Sequence, residues 1–148
     1  AAAYKRNLVW QDGLTLWTDV VQKSPGKTRP HNNLGDIYFK MGRYGEAISE
    51  FEKARGLKPD VKTFFNLGLA YLSKGRVEEA VEEFRTTIWL EPGNYRAHHN
   101  LGLAYKYLGR YDEAVAEFEA ALSINPGLED AYDNLRYLES RRGAGPPP

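Results

Sequence analysis

The feature that most constrains this chain is its self-similarity. Asn-Leu-Gly occurs at Asn33-Leu34-Gly35, Asn66-Leu67-Gly68 and Asn100-Leu101-Gly102, so the glycines step by 33 (68−35) and 34 (102−68) residues. Pro59, Pro92 and Pro126 step by the same amounts. The intervening markers hold phase: Tyr38, Tyr71 and Tyr105; Gly42, Gly75 and Gly109, each followed by Arg; Glu46, Glu79 and Glu113, each followed by Ala; and Phe51, Phe84 and Phe118. A fixed period of this length specifies stacked copies of one small unit, each packing on its neighbours, rather than a single central core.

The markers predict what that unit is. The second glycine of each period falls between two helical stretches, where glycine ends a helix in a left-handed conformation, and the closing proline stops the second stretch. The glycine of Asn-Leu-Gly lets the two helices of a unit approach closely, with Ala47, Ala80 and Ala114 answering from the second helix and Leu, Tyr and Phe filling the space around the contact. The first helices are expected over Arg29–Met41, Lys62–Lys74 and Arg96–Leu108, and the second over Tyr44–Gly56, Val77–Leu90 and Tyr111–Ile124.

Counted from Thr28, Val61 and Tyr95, each period carries the pattern of the tetratricopeptide repeat, which the chain closely resembles. Repeats 1 and 3 match at all of Leu34, Gly35, Tyr38, Ala47, Phe51, Ala54 and Pro59, and Leu101, Gly102, Tyr105, Ala114, Phe118, Ala121 and Pro126; repeat 2 departs only where Thr87 replaces Ala. The resemblance implies an all-α fold, a right-handed α-α superhelix (solenoid) of helical hairpins. The expected organisation is a single array over residues 1–148: a degenerate N-terminal half repeat at 4–27, repeats at 28–60, 61–94 and 95–128, a capping helix at 129–142 and a disordered tail at 143–148. In the half repeat, Trp10–Lys23 is expected as a lone second helix packing Leu14, Trp17 and Val21, preceded by too little chain for a partner helix and leaving Val9, Trp10 or Leu16 uncovered.

Composition excludes several functions. Twenty basic and twenty acidic side chains give zero net charge, which does not support nucleic acid as a partner. There is no cysteine, and no apolar run is long enough to span a membrane. No phosphate loop, nucleophile elbow or metal-binding helix motif is present, so no enzyme activity and no cofactor or metal is expected. The adjacent His98 and His99 point about 100° apart on a helix, poor geometry for one ion, and are assigned to packing or surface roles.

The candidate site lies on the first helix of each repeat. At helical spacing, its second, sixth, ninth and thirteenth positions lie opposite the hairpin contact, and in the resembled family this set lines the concave groove. Here it comprises Arg29, Asn33, Asp36 and Lys40; Lys62, Asn66, Leu69 and Ser73; Arg96, Asn100, Leu103 and Tyr107; and, from the cap, Asp130, Asn134, Tyr137 and Arg141. Asparagine recurs at the sixth position every time, at Asn33, Asn66, Asn100 and Asn134. An asparagine amide offers a donor beside an acceptor, matching the backbone of an extended peptide. The series resembles the asparagine ladder of the O-linked N-acetylglucosamine transferase repeats, which implies a protein or peptide partner gripped by its main chain. The other reading is that these asparagines bond a neighbouring repeat. Five groove cations, Arg29, Lys40, Lys62, Arg96 and Arg141, stand against Asp36 and Asp130, so acidic segments are the expected ligands. The clamp by which other members of the family hold chaperone C-termini keeps only Asn66 and the charge of Arg96, its remaining positions being Asn32, Asp36 and Asn100, so chaperone tails are not expected.

Two alternatives remain. Residues 6–35, with Asn7, Trp10, Asp12, Leu16-Trp17 and Ser24-Pro25, resemble the junction where transmembrane-and-tetratricopeptide O-mannosyltransferases pass from membrane to repeats. That resemblance implies an accessory domain excised from a polytopic membrane protein, connected to a membrane only through a missing segment and facing an extracytoplasmic space; without it a cytoplasmic location is expected. The other is a self-assembling scaffold, with homo-oligomers formed through the exposed N-terminal helix.

Overall fold

A computed structural model describes the backbone of residues 2–143 and the side chains of residues 10–141. All regular structure among them is helical: α1 (Ala2–Lys23), α2 (Thr28–Lys40), α3 (Tyr44–Leu57), α4 (Val61–Ser73), α5 (Val77–Leu90), α6 (Tyr95–Tyr107), α7 (Tyr111–Ile124) and α8 (Glu129–Gly143). The chain divides into two compact units, residues 1–76 and 77–148, with the division inside repeat 2. In the first, α1 packs on α2, α2 on α3 and α3 on α4; in the second, α5 packs on α6, α6 on α7 and α7 on α8.

The helices of the three repeats lie within a residue of the expected ends. Two termini differ. Helix α1 starts at Ala2 rather than Trp10, because residues 2–9 contain alanine, leucine, lysine and arginine and no glycine or proline to stop it. At the other end α8 includes Gly143, placed in the tail by the sequence reading; the rest of that tail, 144–148, and the Val9 side chain lie outside the described residues.

One device ends the first helix of every repeat. Gly42, Gly75 and Gly109 have φ of 73°, 81° and 72°, and the amide of the next residue closes the turn: Arg43 N donates to Tyr38 O at 2.9 Å, Arg76 N to Tyr71 O at 2.8 Å and Arg110 N to Tyr105 O at 2.9 Å. The same arginines lay their guanidinium groups over the tyrosine rings, at 4.7 Å for Arg43 on Tyr38, 4.5 Å for Arg76 on Tyr71 and 4.4 Å for Arg110 on Tyr105. Arg43 also bonds Glu46 at 2.9 Å, and Arg110 bonds Glu113 at 2.6 Å, which holds both carboxyls below their ordinary range. The Tyr and Gly-Arg markers are thus one turn, seen three times, with the Glu marker bonded to it in repeats 1 and 3.

The close approach is made by a ring. A Cβ on Gly35 would lie 2.6 Å from Phe51 Cε1, and one on Gly102 would lie 2.9 Å from Phe118 Cε1. Phenylalanine, one of the large residues expected around this contact, therefore fills the space that glycine vacates. Helix α1 also approaches its neighbour at a glycine: a Cβ on Gly13 would sit 3.1 Å from Ile37 Cδ1 on α2. Thr87, the one departure from the family pattern, is fully buried, and its hydroxyl donates to Glu83 O one turn back at 2.9 Å. That intrahelical bond satisfies the hydroxyl without a partner from elsewhere.

Candidate functional site

In the N-terminal unit three of the expected groove residues meet, but they meet one another. Asp36 on α2 accepts from Asn66 Nδ2 on α4 at 2.7 Å through Oδ1 and from Lys62 Nζ at 2.8 Å through Oδ2. A second bond between repeats forms beside it, where the buried Asn32 donates to Thr63 Oγ1 at 2.9 Å. Thr63 is itself held in a capping box with Asp60 at the start of α4. Asn33 is half-buried, as is Leu69. Lys40 lies 5.4 Å over the Trp10 ring. Arg29 is exposed and borders a separate, largely apolar cavity of about 470 Å³ with Trp17, Val20 and Pro30.

In the C-terminal unit, Leu103 on α6 and Asn134 and Tyr137 on α8 line one open cavity of about 420 Å³. Asn94 caps α6, its side chain accepting from Ala97 N at 3.1 Å. Asn134 donates to Asp130 O of its own helix at 2.7 Å and accepts from Lys106 Nζ at 2.7 Å. Lys106 lies 4.7 Å over the Tyr137 ring, and Arg141 Cζ lies 5.7 Å from the same centroid. Asn100 donates to Arg96 O within its helix at 2.8 Å. Arg96 is exposed, and Tyr107 stands 68 % exposed on α6 outside the cavity.

Three lining residues, His99, Lys106 and Asp133, were outside the expected set. On α6 the stripe facing the cavity is His99, Leu103 and Lys106, rotated from the expected Arg96, Asn100, Leu103 and Tyr107 and sharing only Leu103 with it. Its spacing is helical, so the pattern was in the sequence; the phase was not. His99 turns its ring edge toward Phe118, with centroids 5.5 Å apart, and its buried Nδ1 has no partner among the described residues. Burial lowers its pKa, opposed by the nearby Asp130 carboxylate. His98 instead bonds Glu117. Among the described residues no cluster of side chains suits a metal ion, and no helix is long and apolar enough to cross a membrane.

A family profile described as tetratricopeptide repeat matches residues 95–128, and a second of the same description matches residues 2–62 and 32–95. The chain belongs to the tetratricopeptide repeat family. Among curated proteins none matches it by sequence. Its fold is similar to that of the crystal structure of MamA, with a TM-score of 0.89 at 23 % identity, covering 94 % of this chain and 82 % of that one. It is likewise similar to YrrB, a tetratricopeptide protein described as having an unusual peptide-binding site, with a TM-score of 0.81 at 20 % identity over 96 % of this chain and 74 % of that one. The second tetratricopeptide domain of human RPAP3, solved in complex with the HSP70 peptide SGPTIEEVD, gives a TM-score of 0.70 at 27 % identity over 74 % of this chain and 92 % of that domain.

Proposed function

We propose that the chain is a noncatalytic protein-interaction module that holds an extended, acidic peptide segment along the faces of its first helices, with the α6–α8 cavity as the best-formed contact. The observation that carries this reading is the pair of cations at Tyr137. Lys106 and Arg141 both approach one exposed ring, and neither meets a carboxylate among the described residues. Asp133 at the rim is already paired with Arg136 at 2.7 Å, leaving Asp130 as the opposing charge. A ligand carboxylate beside Tyr137 would meet two cations that pair with no carboxylate among the described residues, and Leu103 supplies apolar contact below it.

The asparagines support main-chain recognition. Asn66, Asn100 and Asn134 each use an N–H internally, while the amide oxygens of Asn66 and Asn100 accept no hydrogen bond among the described residues. The neighbouring-repeat reading applies at Asn66, through Asp36, and at Asn134, through Lys106. Lys62 is neutralised by Asp36, so the acidic preference rests on Arg29, Lys40, Lys106 and Arg141 rather than on the whole set of groove cations. That YrrB has a peptide-binding site and RPAP3 an acid-rich bound peptide gives this reading precedent. Of the clamp for chaperone tails only Asn66 and the charge of Arg96 are kept, and Asn32, at another of its positions, is buried against Thr63.

Titrating the isotope-labelled protein with extended peptides, acidic and neutral, tests this. Amide shifts concentrated at Leu103, Asn134 and Tyr137 with acidic peptides are expected; shifts confined to α5 and α7 around Trp89 would contradict the assignment. A second reading, self-assembly through α1, is favoured by Leu16, which is 57 % exposed. The membrane-transferase resemblance of residues 6–35 gains no support from the relatives above.

A further inference from the structure

His31 and His98 occupy the same place in repeats 1 and 3, and each is set between two acceptors. Nδ1 of His31 lies 2.7 Å from Glu50 Oε2 on α3, and its Nε2 lies 2.9 Å from the carbonyl of Pro25 in the α1–α2 turn. In His98, Nδ1 lies 2.6 Å from Glu117 Oε2 on α7 and Nε2 lies 3.1 Å from the carbonyl of Pro92 in the α5–α6 turn. A neutral imidazole has one N–H. It donates to one of these acceptors and turns a bare nitrogen toward the lone pairs of the other, whereas the imidazolium satisfies both. Imidazolium with carboxylate, and imidazole with carboxylic acid, carry the same number of protons, so full bonding needs one proton beyond the neutral-histidine, ionised-carboxylate pair.

We infer that these two sites are proton-operated latches. When protonated, each fastens the first turn of a repeat both to its own hairpin partner and to the turn before it; when the proton leaves, one of the two bonds is lost. The surrounding charges are few. Glu50 accepts from Lys53 Nζ at 2.6 Å through its other oxygen, and α1 brings only Val21 and Gln22 to the cavity beside His31. Glu117 shares its cavity with Arg85 of α5 and with Arg110 and Glu113 of α7. Repeat 2 is the internal control: Phe64 stands at the histidine position, so no ring nitrogen reaches back to the α3–α4 turn. Rising pH therefore loosens the α1–α2 and α5–α6 turns and leaves the α3–α4 turn alone, while mild acid stiffens the array at the same two places.

The test is amide exchange, corrected for the intrinsic effect of pH, on the full chain at a lower and a higher pH chosen on either side of the proton loss that the imidazole nitrogen spectra report. Protection at Ser24 and Lys27 and at Glu91 and Asn94 should fall about tenfold at the higher pH, the factor one lost hydrogen bond corresponds to, with Thr63 and Phe64 unchanged. His31→Gln should abolish the effect at the first turn only, and His98→Gln at the second only. Imidazole nitrogen spectra of the unmodified chain serve if a variant does not fold: two N–H signals per ring at the lower pH are expected. A single N–H on either ring there while the carboxyl carbon of its glutamate partner reports an ionised carboxylate, or a loss of protection shared equally by all three turns, would overturn the inference.

Discussion

Phe51 Cε1 stands 2.6 Å from where Gly35 would carry a Cβ, so the hairpin of repeat 1 is closed by an absence. Adding even a methyl group there forces the ring out of a site it fills. Gly35→Ala should destabilise the protein by about 1–3 kcal/mol through overpacking, read from denaturant unfolding. Gly56, inside α3, has nothing within 4 Å of its Cβ direction. Gly56→Ala should therefore stabilise by about 0.5–1 kcal/mol through helix propensity. Equal effects of the two changes would refute this account of the packing.

Burial and a hydrogen bond from Tyr71 to Glu52 at 2.7 Å push the Tyr71 hydroxyl up to about 12. An acid whose pKa is raised on folding contributes stability fully present below its unfolded value of about 10 and lost as pH rises through the folded one. Thermal stability should fall between these two values, and Tyr71→Phe should flatten the fall. For His99 the sign reverses. Burial favours its neutral form, so its contribution is present above the unfolded value of about 6.5 and declines on acidification. His99→Leu should lessen the acid-side loss, and a steeper loss in that variant would contradict the assignment.

How far the sequence foretold this molecule depends on whether a feature repeats. Leu34, Tyr38, Gly42, Phe51 and their equivalents recur at fixed spacing, so helix type, turn position and the buried set were legible before any coordinates. On α6 the cavity lining shares only Leu103 with the residues expected to face the groove, because a period fixes spacing along a helix but not its rotation against a neighbour, which packing decides. The histidine bridges were invisible for another reason. His31 and Glu50 are nineteen residues apart on different helices, joined only when the hairpin closes. Helix α1 was underestimated because family register marks where a repeat pattern ends, not where a helix does.

Leu16 stands in α1 where repeats 1, 2 and 3 have Glu50, Glu83 and Glu117, and it is 57 % exposed. An apolar side chain in that place suits a covering helix from a second copy. Sedimentation analysis should show a concentration-dependent dimer that Leu16→Glu abolishes. A monomer at all concentrations would remove the self-assembly reading.

The central claim, that extended acidic peptides bind at the groove face, is tested most directly by titrating one peptide library against three variants. Lys106→Ala with Tyr137→Ala should weaken acidic peptides selectively and reduce the salt dependence of their binding. Asn66→Ala with Asn100→Ala should weaken acidic and neutral peptides alike, by about 0.5–1.5 kcal/mol per amide. Trp89→Ser, on α5 and away from the cavity, should change neither. Affinities untouched by the first two variants but lost with Trp89, whose side chain is 80 % exposed, would contradict the account and move the binding face to the second helices.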